Sequence, residues 1–289
     1  MIKGSIVALI TPFKDNKEID YEALNNLLDL HIKSKTDYLL LMGTTQESLS
    51  LTNDEKKEFV KYVSNYLKNK IKLIIGLISN KREEVLELSK LYNDIEIEAY
   101  LIIGPYYTKT NISGLLKYFT YLADRLNHPI ILYNVPKRCG FSIPLSVVEA
   151  LSYHNNIIGI KDASGDIEYI NNLIGIKKDS FYLYTGDDQT SIISLKLGFD
   201  GWINVIGNYY AKECKYICDN KSDELYYSLF PLIKILNKEV SPISIKYFMY
   251  CMGLIKPNYR IPLDLPMIEN RREIEEIINM LKSNNDNTI

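Results

Sequence analysis

Eight short apolar runs, each followed by a helical pattern, constrain the fold of this 289-residue chain more than any other feature. The runs are rich in β-branched residues and almost continuously apolar, which is typical of parallel strands covered on both faces. In chain order they are Ser5–Thr11, Tyr38–Met42, Lys72–Ile78, Ala99–Ile103, Pro129–Val135, Ile157–Lys161, Phe181–Thr185 and Trp202–Ile206. Eight strand–helix units with no Pro-, Gly- or Ser-rich linker between them predict one (β/α)8 TIM barrel rather than an open sheet.

A long helical pattern follows the eighth run, from about Asn208 to Leu281. The last helix of a barrel cannot use this whole stretch, so we predict about three additional C-terminal helices. Residues 1–207 then form the barrel core through strand eight. Residues 208–289 form the last barrel helix and the C-terminal helical extension, and both parts belong to one structural unit.

Composition excludes several classes of protein. The 34 Lys and Arg residues nearly balance the 36 Asp and Glu residues, which gives a formal net charge of −2. No basic face is implied, so we expect neither nucleic acid nor a membrane as a partner. No apolar run approaches the ~18 residues that a membrane span needs, and no signal peptide opens the chain. The four cysteines are scattered, and we expect them to be reduced thiols in a cytoplasmic protein.

The positions of the histidines bear on metal chemistry. None of His31, His128 and His154 ends a predicted strand, which argues against a zinc-dependent site at the barrel rim. No phosphate-binding loop and no dinucleotide-binding glycine motif follows a strand. The expected chemistry therefore uses no metal and no cofactor.

Lys161 is the most informative residue at the predicted carboxyl end of a strand, where active sites of TIM barrels form. Apolar residues precede it in the sixth run, so we expect its amine to be partly removed from water. Desolvation disfavours the ammonium form and lowers the pKa, and a neutral amine can attack a ketone to form an imine. The alternative is a lysine that extends to solvent from the strand end.

Hydroxyl and guanidinium groups lie at the ends of other runs. Tyr133 lies near the end of the fifth run, and a buried phenol needs a hydrogen-bond partner, for which Thr44 and Tyr107 are candidates. Thr44 and Thr45 follow a glycine, and consecutive backbone N–H groups at such a turn can hold a carboxylate. Arg138 offers a planar fork for a second carboxylate. Each has an ordinary alternative: a core tyrosine among 23, a plain turn and a surface ion pair.

Seven motifs, in order and spread over essentially the whole chain, resemble the dihydrodipicolinate synthase / N-acetylneuraminate lyase superfamily. Each motif is weak alone, whereas the set is highly specific. They are Gly4–Phe13, Gly43–Glu47, Pro105–Tyr107, Tyr133–Gly140, Gly159–Lys161, Gly186–Asp188 and Ser241–Lys246. The resemblance implies a class I aldolase on a TIM barrel, and it is strongest to the synthase branch of the superfamily.

The resemblance also implies a role for each matching residue. Lys161 would form the Schiff base with pyruvate, and Tyr133 would relay protons to and from it. Thr44 would link Tyr133 to Tyr107, which in this family arrives from a neighbouring subunit. A homodimer or homotetramer is therefore implied. The carboxylate of pyruvate would bind Thr44 and Thr45.

The second substrate is implied by Arg138, which would bind the carboxylate of aspartate 4-semialdehyde. Gly186 and the backbone carbonyl of Ile203 would line the pocket. The implied reaction gives 4-hydroxy-tetrahydrodipicolinate, a precursor of diaminopimelate and lysine. An alternative is another pyruvate-dependent aldolase, such as a sialate or keto-deoxy-sugar acid lyase. Arg138 favours the synthases, because the sialate lyases usually lack an arginine at this position.

Three residues depart from the family pattern. Gln46 replaces the second glycine of the G-x-x-G-E motif, and a positive φ there would cost ~1–2 kcal/mol for a non-glycine residue. Gln46 could also crowd the pyruvate site. Cys139 replaces a common threonine, and Trp202 is bulkier than the usual residue. These departures support a third alternative, a weakly active binding or scaffold homologue, against which the retained Lys161 and Tyr133 argue.

The resemblance further implies a regulatory site for lysine. In inhibited members of the family, lysine binds at the dimer interface near the loop after strand two. The matching positions here are Ser48, Leu49, Asn80, Glu84 and Tyr106. Asn53 and Lys56 stand where inhibited relatives often carry histidines, and Lys56 adds a positive charge. We therefore expect weak or absent inhibition by lysine.

Overall fold

The computed structural model describes residues 2–286, with side chains described through Leu281, and its centre is a closed barrel of eight parallel strands. The strands follow one another around the barrel in chain order, and β1 pairs with β8. Their bounds are β1 Gly4–Ala8, β2 Tyr38–Leu41, β3 Lys72–Leu77, β4 Ala99–Ile103, β5 Ile130–Asn134, β6 Ile157–Asp162, β7 Tyr182–Thr185 and β8 Gly201–Asn204. The predicted (β/α)8 barrel is confirmed.

Strands β1 and β8 end two or more residues earlier than the apolar runs predict, because side chains take over the backbone bonds. After β1, the N–H of Ile10 donates to Oδ1 of Asn208 at 2.9 Å. After β8, the N–H groups of Val205 and Ile206 donate to the carboxylate of Asp188. A backbone group that bonds to a side chain no longer extends the strand ladder, so the strands stop there.

Twelve α-helices are present in residues 2–286. Their bounds are α1 Tyr21–Lys33, α2 Asn53–Leu67, α3 Arg82–Lys90, α4 Ile112–Ala123, α5 Pro136–Cys139, α6 Leu145–Leu151, α7 Ile167–Ile174, α8 Ser191–Lys196, α9 Ala211–Asn220, α10 Asp223–Leu236, α11 Ile243–Cys251 and α12 Ile268–Asp286. Helix α9 follows β8 and completes the barrel. Helices α10, α11 and α12 are additional, which confirms the prediction of about three.

The apolar core has three parts. One lies inside the barrel and includes alternate residues of the strands, such as Ala8, Leu40 and Leu101. A second lies between the strands and helices α1 to α4, α6 and α7. The third joins α9 to α12 to the barrel, with Trp202 of β8 packed in the same cluster as Phe248 of α11. The division of the chain after residue 207 stays a prediction, and its terminal residues 1 and 287–289 lie outside the described residues.

A buried ion pair attaches the extension to the loop after β2. Lys246 of α11 and Glu47 are both 0% exposed at their side chains, and Nζ lies 2.5 Å from Oε1. The backbone N–H of Arg260 donates to the other carboxylate oxygen at 3.0 Å. Burial lowers the pKa of Lys246 to about 8, while the charge and the hydrogen bond of Glu47 act in the opposite direction. Removing one partner of such a pair would leave the other charge buried without a counter-charge. The ion pair therefore stabilises the position of the loop after β2.

Among residues 2–286, no helix combines the length and the apolar character that crossing a bilayer requires.

Candidate active site

Lys161 and Tyr133 lie side by side at the carboxyl ends of adjacent strands. The register of β5 and β6 pairs the two residues directly, because every parallel strand of the barrel ends at the same rim. Their side chains are 6% and 8% exposed, and Lys161 Nζ lies 4.3 Å from the centroid of the Tyr133 ring. Burial lowers the pKa of Lys161 to about 7, with Asp188 opposing and Arg138 adding to the shift. A substantial fraction of this amine is therefore neutral near pH 7.

The pKa of the Tyr133 phenol is shifted in the opposite direction from that of Lys161. Burial raises the pKa of Tyr133 to about 12, against the lowering effects of the nearby Arg138 charge and a hydrogen bond with Thr44. Tyr133 is therefore protonated near neutral pH. It can donate a proton beside Lys161 and recover one through the Thr44 hydroxyl.

A small cavity lies directly above this pair. Thr44, Thr45, Tyr133 and Lys161 provide its polar lining. The remaining lining residues are apolar or glycine: Ala8, Leu40, Gly43, Gly76, Ile78 and Leu101. Thr44 and Thr45 open a single 3-10 turn after Gly43, and the first N–H groups of such a turn have no partner within it. The cavity thus combines an amine, a phenol and polar groups suited to a carboxylate in an apolar barrel interior.

Gly186, just after β7, packs against the lysine, whereas Ile203 of β8 lies in the barrel interior. A Cβ atom at Gly186 would lie only 2.4 Å from Lys161 Cε, so only glycine leaves room for the lysine side chain. Ile203 is 1% exposed and belongs to the apolar cluster inside the barrel that also contains Tyr133. Neither residue is in the described lining of the small cavity.

Arg138 lies at the mouth of the barrel, on the short helix α5. Its side chain is exposed, and Nη2 donates to the backbone carbonyl of Ser241 at 3.0 Å. The Ser241 hydroxyl lies 3.2 Å from that of Thr45. Ser241, which our sequence analysis did not assign to the site, therefore links the β2 loop to Arg138. The match at Ser241–Lys246 was the signal that could have identified it.

Tyr107 stands apart from the other candidates. It is 90% exposed, and its backbone adopts a φ of 64°, which is strained for a tyrosine. Within the described residues of one chain, the structure does not bring Tyr107 into the cavity beside Tyr133 and Thr44. The Tyr107 side chain is instead accessible at the surface of this chain.

The structure resolves the doubt about Gln46. Gln46 is not among the described non-glycine residues with positive φ, whereas the next residue, Glu47, has a φ of 58°. The expected strain therefore lies at Glu47. The Gln46 side chain is fully buried, and its Oε1 accepts a hydrogen bond from the backbone N–H of Met42. Gln46 is not among the residues that line the cavity, so it does not crowd the cavity as expected.

The other two departures also have defined surroundings. Cys139 is buried, and its Sγ lies 3.7 Å from the carbonyl oxygen of Gly104, to which it donates. Trp202 is fully buried, and its indole N–H donates to Asp188. Among the side chains described, no group of three or more His, Cys, Asp and Glu residues is arranged to hold a metal ion.

The residues matched to the lysine site are only partly brought together. Ser48 and Leu49 line a second cavity, together with Lys56 of α2. Asn80, Glu84 and Tyr106 are outside its described lining, and Glu84 accepts a hydrogen bond from Ser79 at 2.6 Å. Burial lowers the pKa of Lys56, and the charge of Glu84 opposes this shift.

Comparison with known proteins identifies the family to which this chain is similar. Residues 1–281 match the model of the dihydrodipicolinate synthetase family. The 4-hydroxy-tetrahydrodipicolinate synthase of Wigglesworthia glossinidia brevipalpis is 38% identical, over 98% of this chain and 97% of the relative. Two solved structures extend the comparison.

The dihydrodipicolinate synthase of Acinetobacter baumannii, solved in complex with pyruvate, superposes with a TM-score of 0.93 at 31% identity, over 96% of this chain and 98% of the other. The enzyme of Cyanidioschyzon merolae, solved with lysine bound, superposes with a TM-score of 0.89 at 26% identity, over 96% and 97%. The extent of the family match and the shared fold lead to one conclusion: this chain belongs to the dihydrodipicolinate synthetase family.

Proposed function

We propose that this protein is a class I aldolase that condenses pyruvate with aspartate 4-semialdehyde to give 4-hydroxy-tetrahydrodipicolinate. The observation that carries the proposal is the buried Lys161 amine, whose pKa is lowered to about 7 and which lies 4.3 Å from the ring centre of Tyr133. Membership of the family supports the choice of substrates, since relatives carry the name of this synthase.

The chemistry follows from these two side chains. The neutral Lys161 amine adds to the ketone carbon of pyruvate, and loss of water gives a protonated imine. Tyr133 donates the proton that the departing water needs, and Thr44 carries a proton back to it. The Tyr133–Thr44 relay then takes a proton from the methyl carbon to give an enamine, and it returns a proton to the aldehyde oxygen as the enamine attacks the aldehyde carbon of the second substrate. The carboxylate of pyruvate binds the loop of Thr44 and Thr45.

The aldehyde substrate is assigned through Arg138. Its guanidinium is held at the cavity mouth by the Ser241 carbonyl, where it can bind a carboxylate with two parallel hydrogen bonds. This placement favours aspartate 4-semialdehyde over the aldehydes released by sialate and keto-deoxy-sugar acid lyases. A scaffold role is disfavoured because Gln46 leaves the cavity open.

We further propose that the protein acts in the cytoplasm as a homodimer or homotetramer. Large apolar side chains are exposed after β2 and β4, where Leu49 is 64%, Tyr107 90% and Ile112 50% exposed. A second exposed apolar group lies on α7 and α8, where Ile167 and Ile193 are each 40% exposed. Two such faces support a tetramer built from dimers.

Among the described residues, the four cysteines form no disulfide, as suits a reducing compartment.

Trapping with borohydride tests the Schiff base. Reduction in the presence of pyruvate should inactivate the protein and leave one adduct, on Lys161, because this amine is both buried and neutral. Peptide mass spectrometry locates the adduct, and Lys161→Ala should take none. The matched control is Lys246, which is also buried but is paired with Glu47. An adduct on Lys246, or no adduct at all, would contradict the proposal.

Replacement of the arginine tests the second substrate. Arg138→Ala should raise KM for aspartate 4-semialdehyde about tenfold or more and change KM for pyruvate little, because a charged hydrogen bond contributes about 1.5–3 kcal/mol. Steady-state kinetics with each substrate varied in turn measure both values. Lys137→Ala removes an adjacent exposed charge and is the control. Equal effects of Arg138→Ala on the two substrates would rule out the assigned role.

The partner subunit is tested through Tyr107. Tyr107→Phe should lower kcat about a hundredfold, the usual contribution of an acid–base group, while Tm and assembly stay unchanged. Tyr153→Phe, at a position 71% exposed, is the matched control. Sedimentation of the wild-type protein should show a dimer or tetramer. A fully active monomer would exclude a site shared between subunits.

Inhibition by lysine is proposed to be weak or absent. The proposed regulatory residues are Ser48, Leu49, Asn80, Glu84 and Tyr106. Lys56 lines the same cavity as Ser48 and would face the ammonium group of the ligand. Removal of ~1.4 kcal/mol of repulsion strengthens binding about tenfold. Lys56→His should therefore lower the inhibitory concentration of lysine about tenfold above pH 7, and Lys57→His, on the exposed side, should not. Strong wild-type inhibition that Lys56→His does not improve would contradict this proposal.

A further inference from the structure

Ser241 lies between the two groups to which we assign the carboxylates of the substrates. Its hydroxyl oxygen lies 3.2 Å from the hydroxyl oxygen of Thr45, which lines the cavity beside Lys161. Its backbone carbonyl accepts a hydrogen bond from the Arg138 guanidinium at 3.0 Å. The side chain of Ser241 therefore contacts the proposed pyruvate site, whereas its backbone contacts the proposed aldehyde site.

The position of Ser241 is set by the start of helix α11, which is held on two sides. Lys246, in the first turn of this helix, forms the buried ion pair with Glu47 of the β2 loop. The hydroxyl of Tyr259 donates to the backbone carbonyl of Ile243 at 2.8 Å. Ser241 is therefore attached to a helix end that is fixed against the barrel.

The turn that carries Thr45 is fixed from other directions. The hydroxyl of Thr11 donates to the backbone carbonyl of Gln46 at 2.7 Å. Glu47, the next residue, is held by its ion pair with α11. Thr45 itself is only 6% exposed. Because the backbone is held on both sides of the contact, the hydroxyl groups of Thr45 and Ser241 remain neighbours.

A bound carboxylate decides which of these two hydroxyl groups is the donor. A hydroxyl has one hydrogen and can also accept, whereas an ionised carboxylate can only accept. When the Thr45 hydroxyl binds the carboxylate of pyruvate, it must use its one hydrogen for that bond. The Ser241 hydroxyl must then donate to Thr45. Two hydrogen bonds that run in the same direction polarise and strengthen each other.

We propose that Ser241 is a positioning residue for the pyruvate carboxylate. Its hydroxyl donates to Thr45 and so directs the Thr45 hydrogen towards the carboxylate in the cavity. This inference rests on the proposed function, because it requires pyruvate to bind beside Lys161. It gives the C-terminal extension a part in substrate binding, in addition to its packing against the barrel.

The two contacts of Ser241 predict different effects on the two substrates. Ser241→Ala removes the hydroxyl but keeps the backbone carbonyl that holds Arg138. Loss of one neutral hydrogen bond weakens binding about fivefold, so KM for pyruvate should rise by about this factor. KM for aspartate 4-semialdehyde and kcat should stay close to the wild-type values, because neither depends on the Ser241 hydroxyl.

Trapping of the imine gives a second readout that needs no aldehyde. The full chain is incubated with cyanoborohydride and either pyruvate or acetone, a ketone that has no carboxylate. Mass spectrometry then measures the rate at which the reduced adduct forms on Lys161. Ser241→Ala should need about fivefold more pyruvate for the half-maximal rate. The rate with acetone should not change, whereas general damage to the site would lower both rates.

Ser244→Ala is the matched control. Ser244 is a buried serine of the same segment, but its hydroxyl accepts a hydrogen bond from Asn270 at 2.8 Å and does not contact the site. This variant should behave as the wild type with both ketones. A double-mutant cycle tests the direction of the chain. Ser241→Ala should have no further effect on pyruvate in a Thr45→Val background, because the chain is already broken there.

Three results would overturn the inference about Ser241. They are an unchanged pyruvate dependence in Ser241→Ala, an equal loss of rate with acetone, and effects of Ser241→Ala and Thr45→Val that simply add. Each of these leaves the proposed function intact, provided that the wild type takes a pyruvate adduct on Lys161. A wild type that takes no such adduct would overturn the proposed function, and the inference with it.

Discussion

Closure of the barrel brings the carboxyl ends of eight parallel strands to one rim, and every functional contact in this protein depends on that closure. Lys161 and Tyr133 are neighbours because β5 and β6 pair in register there. Thr44 and Thr45 come from the opposite part of the ring, yet they line the same cavity. The barrel interior below them is apolar, so the polar groups at the rim meet in surroundings that strengthen their electrostatic interactions.

Burying a charged group is unfavourable, and the charged groups buried at this rim are stabilised by different partners. Glu47 and Lys246 compensate each other, and their pair ties the β2 loop to α11. Asp188 is compensated by N–H donors from β8 and Trp202. Lys161 has the weakest compensation, and its pKa consequently falls to about 7. A substantial fraction of this amine is therefore neutral near pH 7, and none of the described ion pairs includes it.

Parts of this organisation could be predicted because they are local. Continuous apolar runs predicted the strands, and the end of the sixth run identified Lys161. The ends of strands were less predictable. Strand β8 ends where the N–H groups of Val205 and Ile206 donate to the carboxylate of Asp188, which is distant in the sequence. Ser241 was missed for a related reason. Its link to Arg138 spans 103 residues and joins helix α5 to the segment before α11, which lie far apart along the chain.

The sequence by itself determined the number and order of the strands, the family and the identity of the candidate catalytic residues. Periodicity and motif spacing are properties of neighbouring residues, so they can be read along the chain. Only the tertiary structure decided that Gln46 bonds to Met42 and does not line the cavity, that Trp202 bonds to Asp188, and that Tyr107 is exposed outside the cavity of its own chain. These outcomes depend on which groups meet across the barrel, because hydrogen bonding and burial are set by spatial neighbours rather than by sequence neighbours.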